Sequence, residues 1–270
     1  MSKPTYILPS KKFKQQATIN SIGFIVICLV AYYLDFNPTV IFSEFHHMKD
    51  LLGEMFWPNY SVLWENISVG TSIFQTLSMA FLGTFYGGLI ALVFAFLSAN
   101  NIFPYVVIRN IFKFILALIR VIPSLVVILI FVIAVGPGPF AGVLTLIFTT
   151  IGTFGKLFME VLENNDMSPS EAIYSVGASR LQVIRYAIFP QVLPTFISNI
   201  LYAFDINMRA AIGLGIFGGG GIGYKLYLSM RVLHYKDATA LITCIVILLL
   251  IVENISNYLR SKILNDGKKR

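Results

Sequence analysis

Charge is what this chain has least of. Asp, Glu, Lys and Arg make up 12% of its 270 residues, against 57% hydrophobic, and the mean hydropathy is +0.78. A soluble domain carries about a quarter charged residues. Water alone cannot solvate a fold of this length with so much apolar side chain, so the bilayer must be the solvent for most of it. Cysteine is scarce: Cys28 and Cys244 lie inside apolar runs and are expected as free thiols packed like small hydrophobes, without a disulfide. The three histidines fall in segments outside the apolar runs, and the adjacent pair His46-His47 beside Glu44 points its rings apart, which argues against a metal site. A membrane-embedded enzyme built on a His, Cys or carboxylate cluster is therefore disfavoured. Asp205 and Glu253 are the deep acids and no internal repeat is visible, which speaks against an ion-coupled secondary transporter. No G-x-x-x-x-G-K-[ST] occurs, so the chain supplies no ATP site of its own. The excess of base, +7, suits cytoplasmic loops and lipid headgroups and needs no nucleic acid.

What is present is a series of apolar runs. Six spans are expected, at about 19–36, 71–98, 109–135, 140–160, 191–213 and 238–259, an all-α integral membrane protein with a cytoplasmic tail over 1–18 and one transmembrane domain over 19–270. The first run ends in Tyr32, Tyr33, Leu34 and Asp35 with no small-x-small cleavage site, which makes it an uncleaved span rather than a signal peptide. Residues 36–70 read as an outer loop, its Trp57, Tyr60 and Trp64 suited to an interface. Gly83, Gly87 and Gly88 form a small-residue patch that admits a close helix, either within the subunit or at a dimer seam. Gly136-Pro137-Gly138-Pro139 is a turn. Lys and Arg cluster at both termini and beyond Glu160, placing both ends in the cytoplasm; Lys225, Arg231 and Lys236 in the second outer segment go against this bias.

Two sets of polar residues sit at membrane depth. Arg109, Lys113 and Arg120 fall within about 40° of one another on a helix. Arg109 and Lys113 suit snorkelling to inner-leaflet phosphates. Arg120 lies deeper, before Pro123, and a charge there needs protein or water to face, which makes it a pathway candidate. Ser198, Tyr202, Asp205 and Arg209 form a second stripe at i, i+4, i+7 and i+11. Asp205 and Arg209 can pair. Two uses fit: a structural ion pair between helices, or the wall of a lumen. Gly218, Gly220, Gly221 and Gly223 match a G-x-G-x-x-G string, but no strand precedes it, so a dinucleotide fold is rejected in favour of close backbone approach or a hinge near an outer mouth.

The segment from Ser170 to Pro194 is a polar island in this apolar chain. Ser168-Pro169-Ser170-Glu171 reads as a helix start, Gly177 as the break, and residues 179–188 as a second helix closed by Pro190 and Pro194. Glu171, Ala172, Gly177 and Pro190 occupy positions 1, 2, 7 and 20 of the EAA loop of ABC importer permeases, over a coupling segment 168–190. With Gly136 to Val143, Gly155-Lys156-Leu157-Phe158, Val176-Gly177-Ala178-Ser179, Phe189 to Pro194, Asn207-Met208-Arg209 and Gly218 to Gly223, the stretch from about Arg120 to Arg260 resembles the phosphonate permeases of that class. Ile173, Ala187 and Phe189 depart from the usual EAA residues. The resemblance implies a MetI-like type I permease of the bacterial inner membrane, working as a homodimer or with a paralogue. It also implies two ATP-binding subunits that hold ATP and Mg, and an extracytoplasmic phosphonate-binding protein. Glu171, Ala172, Gly177, Ala178, Ser179 and Pro190 would seat the ATPase. Arg120, Ser198, Tyr202, Asp205 and Arg209 would line the path of an anion, for whose three-oxygen head group Arg is suited. Phosphite, phosphate or another solute such as methionine remains an alternative cargo.

Overall fold

The long apolar runs become long helices because only a helix satisfies its own backbone where no water is present. The computed structural model describes residues 11–37, 39–65 and 67–267; residues 1–10, with the start of the expected tail, and the closing bases Lys268, Lys269 and Arg270 lie outside them. In chain order the helices are α1 (Lys11–Tyr33), α2 (Thr39–Ser43), α3 (Phe45–Met55), α4 (Val62–Glu65), α5 (Ile67–Ser98), α6 (Val106–Val121), α7 (Ser124–Val135), α8 (Pro139–Glu163), α9 (Ser168–Ser175), α10 (Arg180–Val183), α11 (Phe189–Leu214), α12 (Gly221–Arg231) and α13 (Tyr235–Gly267). No strand occurs among the described residues. Among the described residues five stretches are long and apolar enough to cross a membrane, and α6 with α7 makes a sixth as a bent pair.

The chain divides into two compact units, Met1–Glu54 and Met55–Arg270. In the first, α1 exposes Ile22, Phe24, Val26 and Leu29 along its length, as a lipid-facing helix does. Cys28 is exposed there and not packed as expected. The loop expected over 36–70 is partly helical, through α2, α3 and α4.

The second unit is built on α5 against α8. A side chain at Gly83 would strike Leu146, and a Cβ at Gly87 would lie 2.7 Å from Thr150 Cβ. The glycine patch is thus filled from within the chain, by α8 and by Ile200 of α11 at Gly88. Gly152 and Gly155 do the same for α6, whose Ile119 and Leu116 press onto them.

Two expected boundaries need correction. The third span is not one rod from 109 to 135: α6 and α7 meet at 90° across Ile122-Pro123. Both residues are extended (ψ 120° and 138°), because the pyrrolidine ring disfavours helical geometry before it and Pro123 has no N–H for the ladder. The second helix of the polar island, conversely, is not closed by Pro190. The helix from Arg180 runs on through a π-helical turn, Ile184–Ile188, into α11, and breaks only at Phe217-Gly218. The N–H of Phe189 bonds Ile184 O, five residues back, beside the two prolines that donate nothing.

Candidate coupling and translocation site

The α9–α10 hairpin is a knob with a fixed base and a bare tip. Pro169 opens α9 and Glu171 lies in its first turn. Asp166 accepts from the Ser168 N–H (3.0 Å) and Oγ (2.7 Å), and these bonds hold its carboxyl below its ordinary pKa of 3.8. Gly177 turns the chain at φ +85°, a conformation other residues adopt at a cost. Ser179 then caps α10 in a reciprocal box with Gln182, whose side chain accepts from the Ser179 N–H at 2.7 Å. At the tip Val176 and Leu181 are 83% and 78% exposed, and Glu171, Ala172, Ser179 and Pro190 are exposed with them. At the base Val183, Ala187, Ile188 and Val192 are buried against Phe158, Leu162 and Ala99, with Ile173 and Ala178 packed on the same cluster. The hairpin therefore cannot shift without the ends of α5 and α8 moving with it.

That same end of the bundle is stitched by polar contacts. Lys113 reaches Glu163 (3.1 Å) and Asn100 Oδ1 (2.9 Å), and the Asn100 N–H donates to Glu163 (2.9 Å). Arg109 donates to the carbonyls of Asn100 and Phe103. Both bases are thus held by protein, where snorkelling to phosphates was expected: the turn after α5 brings acceptors closer than the headgroups.

The stripe on α11 faces α13. Arg209 bonds Asp205 (2.6 Å) on its own helix and Glu253 (2.9 Å) on α13. Tyr202 lies under Arg260 of α13 at 5.6 Å and edge-on to Phe154. Ser198, two turns from Asp205, is half-buried. The Asp205–Arg209 contact was legible from spacing; Glu253 as a second partner was not, because it needs the packing of two distant spans.

Arg120 lies elsewhere, at the break between α6 and α7. Among the described residues no carboxylate comes within ion-pairing distance of it. It lines a cavity of about 310 Å³ with Ser124, Thr149, Thr150, Thr153 and Asn207. Asn207 is buried and donates to Thr84 Oγ1 and Thr150 Oγ1, each at 2.9 Å. Sequence reasoning did not assign Ser124, the three threonines or Asn207 to a site; the clustering of Thr149, Thr150 and Thr153 over about one turn of a span was the available signal. Arg209 does not share this cavity.

At the opposite end the glycine-rich segment packs backbone on backbone. Gly218, Gly220 and Gly221 have φ of +94°, +75° and +70°. The Gly218 carbonyl accepts from the Gly138 N–H at 2.8 Å, and the Ile222 N–H donates to Thr76 at 2.9 Å. Gly223 lies against the backbone of Ile212, where a side chain would overlap the carbonyl.

Apolar spans, one of them broken, around charged and hydroxylic groups at mid-height, with an anchored polar hairpin at one end, define a multi-pass transport subunit. A model of the binding-protein-dependent transport system inner membrane component matches residues 87–264, and the chain belongs to that family. It is similar to the phosphite transport system permease protein PtxC of Stutzerimonas stutzeri, 33% identical over 241 residues, 89% of this chain and 86% of that protein. It is also similar to the phosphate-import permease protein PhnE of Mycolicibacterium smegmatis, 30% identical over 87% of this chain but 44% of that protein. Its fold matches a permease chain of the inward-facing MetNI methionine ABC transporter (TM-score 0.65, 18% identity, 76% of this chain and 99% of that one). A chain of a bacterial alginate-import ABC transporter matches equally well (TM-score 0.65, 17% identity, 90% and 99%). The chain is thus a permease subunit of the inner membrane with the MetI-like architecture expected from its sequence.

Proposed function

We propose that this permease carries a small phosphorus oxyanion, phosphite or a phosphonate, into the cell, driven by ATP hydrolysis in a separate subunit. The observation that carries the coupling half is the hairpin: exposed Val176 and Leu181 at its tip, and a base fixed in the core. Exposed aliphatic side chains on a polar segment suit docking to another protein. Relatives named for phosphite and phosphate transport support the cargo. In this reading Glu171, Ala172, Gly177, Ala178, Ser179 and Pro190 form the seat for each of two ATP-binding subunits, and ATP and Mg are bound there and not by this chain. The chain itself is no enzyme. Both termini lie in the cytoplasm. A binding protein delivers the anion at the outer face, where Gly218, Gly220, Gly221 and Gly223 serve as a hinge, and a second permease copy completes the path. Arg120 meets the anion, while Ser198, Tyr202, Asp205 and Arg209 form the adjoining wall against α13.

The test is a cross-link. Cysteine at Ala178, oxidised in membranes with its cognate ATP-binding subunit, is expected to join the two and to do so differently with and without ATP. A hairpin that reacts only with thiol reagents added outside the cell, or uptake that does not depend on ATP, would refute the proposal.

A further inference from the structure

We propose that Arg120, Ser124, Thr150 and Thr153 form an oxyanion-binding site inside the permease, at the break between α6 and α7. The site rests on the reading above for the identity of its cargo, but its chemistry is independent of it. Its lining offers positive charge and hydrogen-bond donors, and no carboxylate lines the cavity. Arg209, by contrast, is clasped by two carboxylates, and Lys113 and Lys156 each have a glutamate partner. Arg120 is the base at this depth whose guanidinium has no such partner among the described residues. An Arg at membrane depth must face protein, water or an anion, and Arg120, though exposed, has no carboxylate beside it among those residues.

The hydroxyls are set for the same task. Thr150 is 2% exposed, and its oxygen accepts from Asn207 Nδ2, while its own proton has no acceptor among the described residues. Asn207, tied also to Thr84, thus fixes Thr150 as a donor towards the cavity. Ser124 and Thr153 have no hydrogen-bond partner among the described residues and line the same space. Thr149 is already committed to Thr145 O at 3.0 Å and adds little. A tetrahedral oxyanion accepts from several donors at once, and a carboxylate-free cavity of about 310 Å³ has room for one.

Position fits a waypoint rather than a surface trap. Thr150 is 11 residues from Pro139 and 13 from Glu163 by their numbers, so the cavity lies near mid-height of α8, about 17 and 20 Å from its two ends. Arg120 also walls a second cavity of about 460 Å³, nearer the hairpin, shared with Lys113 and Lys156. Arg120 thus borders both cavities. Gly152 holds it there: a Cβ would fall 2.6 Å from Ile119 Cγ2 and 3.0 Å from the Arg120 N, so α6 can sit this close only over glycine.

The experiment uses the complete transporter, with its ATP-binding subunit and binding protein, in liposomes, offered radiolabelled phosphite, methylphosphonate or inorganic phosphate. Arg120→Gln is expected to cut maximal uptake at least tenfold, Arg120→Lys to retain more than Arg120→Gln, and Ser124→Ala with Thr153→Ala to cut it about threefold. Gel filtration of the assembled complex screens out variants that fail to fold. In parallel, phosphite titrated into the purified permease complex without binding protein should bind weakly, and not at all to Arg120→Gln. Wild-type rates in Arg120→Gln, with the unaltered protein active on the same anion, would overturn the site while leaving the phosphorus reading intact. Uptake of none of the three anions by the unaltered protein would instead overturn that reading.

Discussion

Replacing Gly223 by alanine should damage this protein more than the same change ten residues earlier. At Gly223 the new methyl falls on the Ile212 carbonyl oxygen, 2.8 Å from its carbon and 3.1 Å from the Ile212 Cα. A carbon and a carbonyl oxygen rest about 3.3–3.6 Å apart, so the two backbones must separate by roughly one and a half ångströms. Neither partner is a flexible side chain. Ile212 lies in α11 and Gly223 in α12, and the segment between them is fastened to Gly138 and, through Ile222, to Thr76. Overpacking usually costs about 1–3 kcal/mol, and a backbone obstacle puts this case at the upper end. At Gly213, in the last turn of α11, nothing lies within 4 Å, and alanine there should be neutral or gain up to about 0.5–1 kcal/mol. The assay is thermal unfolding of the detergent-purified complex, with ATP-driven uptake in liposomes alongside. A Gly223→Ala protein as stable as Gly213→Ala would show that this turn yields freely and that its glycines are not there for close approach.

Removing Arg209 should cost more than removing either acid beside it, since Arg209→Ala strands Asp205, which is buried; about 3 kcal/mol is expected, partly restored by Asp205→Asn in the same chain, as read by thermal unfolding. Glu163→Gln weakens the half-exposed tie to Lys113 by about 1 kcal/mol at most, and a double-mutant cycle with Lys113→Met should return that coupling. The Asp166 carboxyl, lowered by its two bonds from Ser168, stabilises the start of α9 fully above the ordinary carboxylate pKa of 3.8 and loses this as pH falls through the depressed value. Protection of the Ser168–Ser175 amides, relative to their intrinsic exchange rates, should therefore be insensitive to its titration between pH 5 and 8 and fall below that range, whereas Asp166→Asn should remove that acid step. Gly152→Ala should drive α6 off α8 and lower uptake with Arg120 still present; normal uptake in that variant would refute the role given to the glycine.

Composition alone determined that this chain lives in a bilayer, because apolar runs of span length have no other place to go. Spacing determined the hairpin at Gly177 and the Asp205–Arg209 pair, since both depend on contacts within a few residues. Tertiary structure decided the rest. One span was expected across Pro123, and the structure turns through 90° there, with α6 seated on Gly152 and Gly155 of α8. Pro190 looked like a stop, and the π turn before it carried the helix through. Spacing put Asp205 beside Arg209, but the second carboxylate, Glu253, 44 residues along the chain, arrives there only through packing. Periodicity reports what shares a face of one helix; what lies opposite that face is set by how the helices pack.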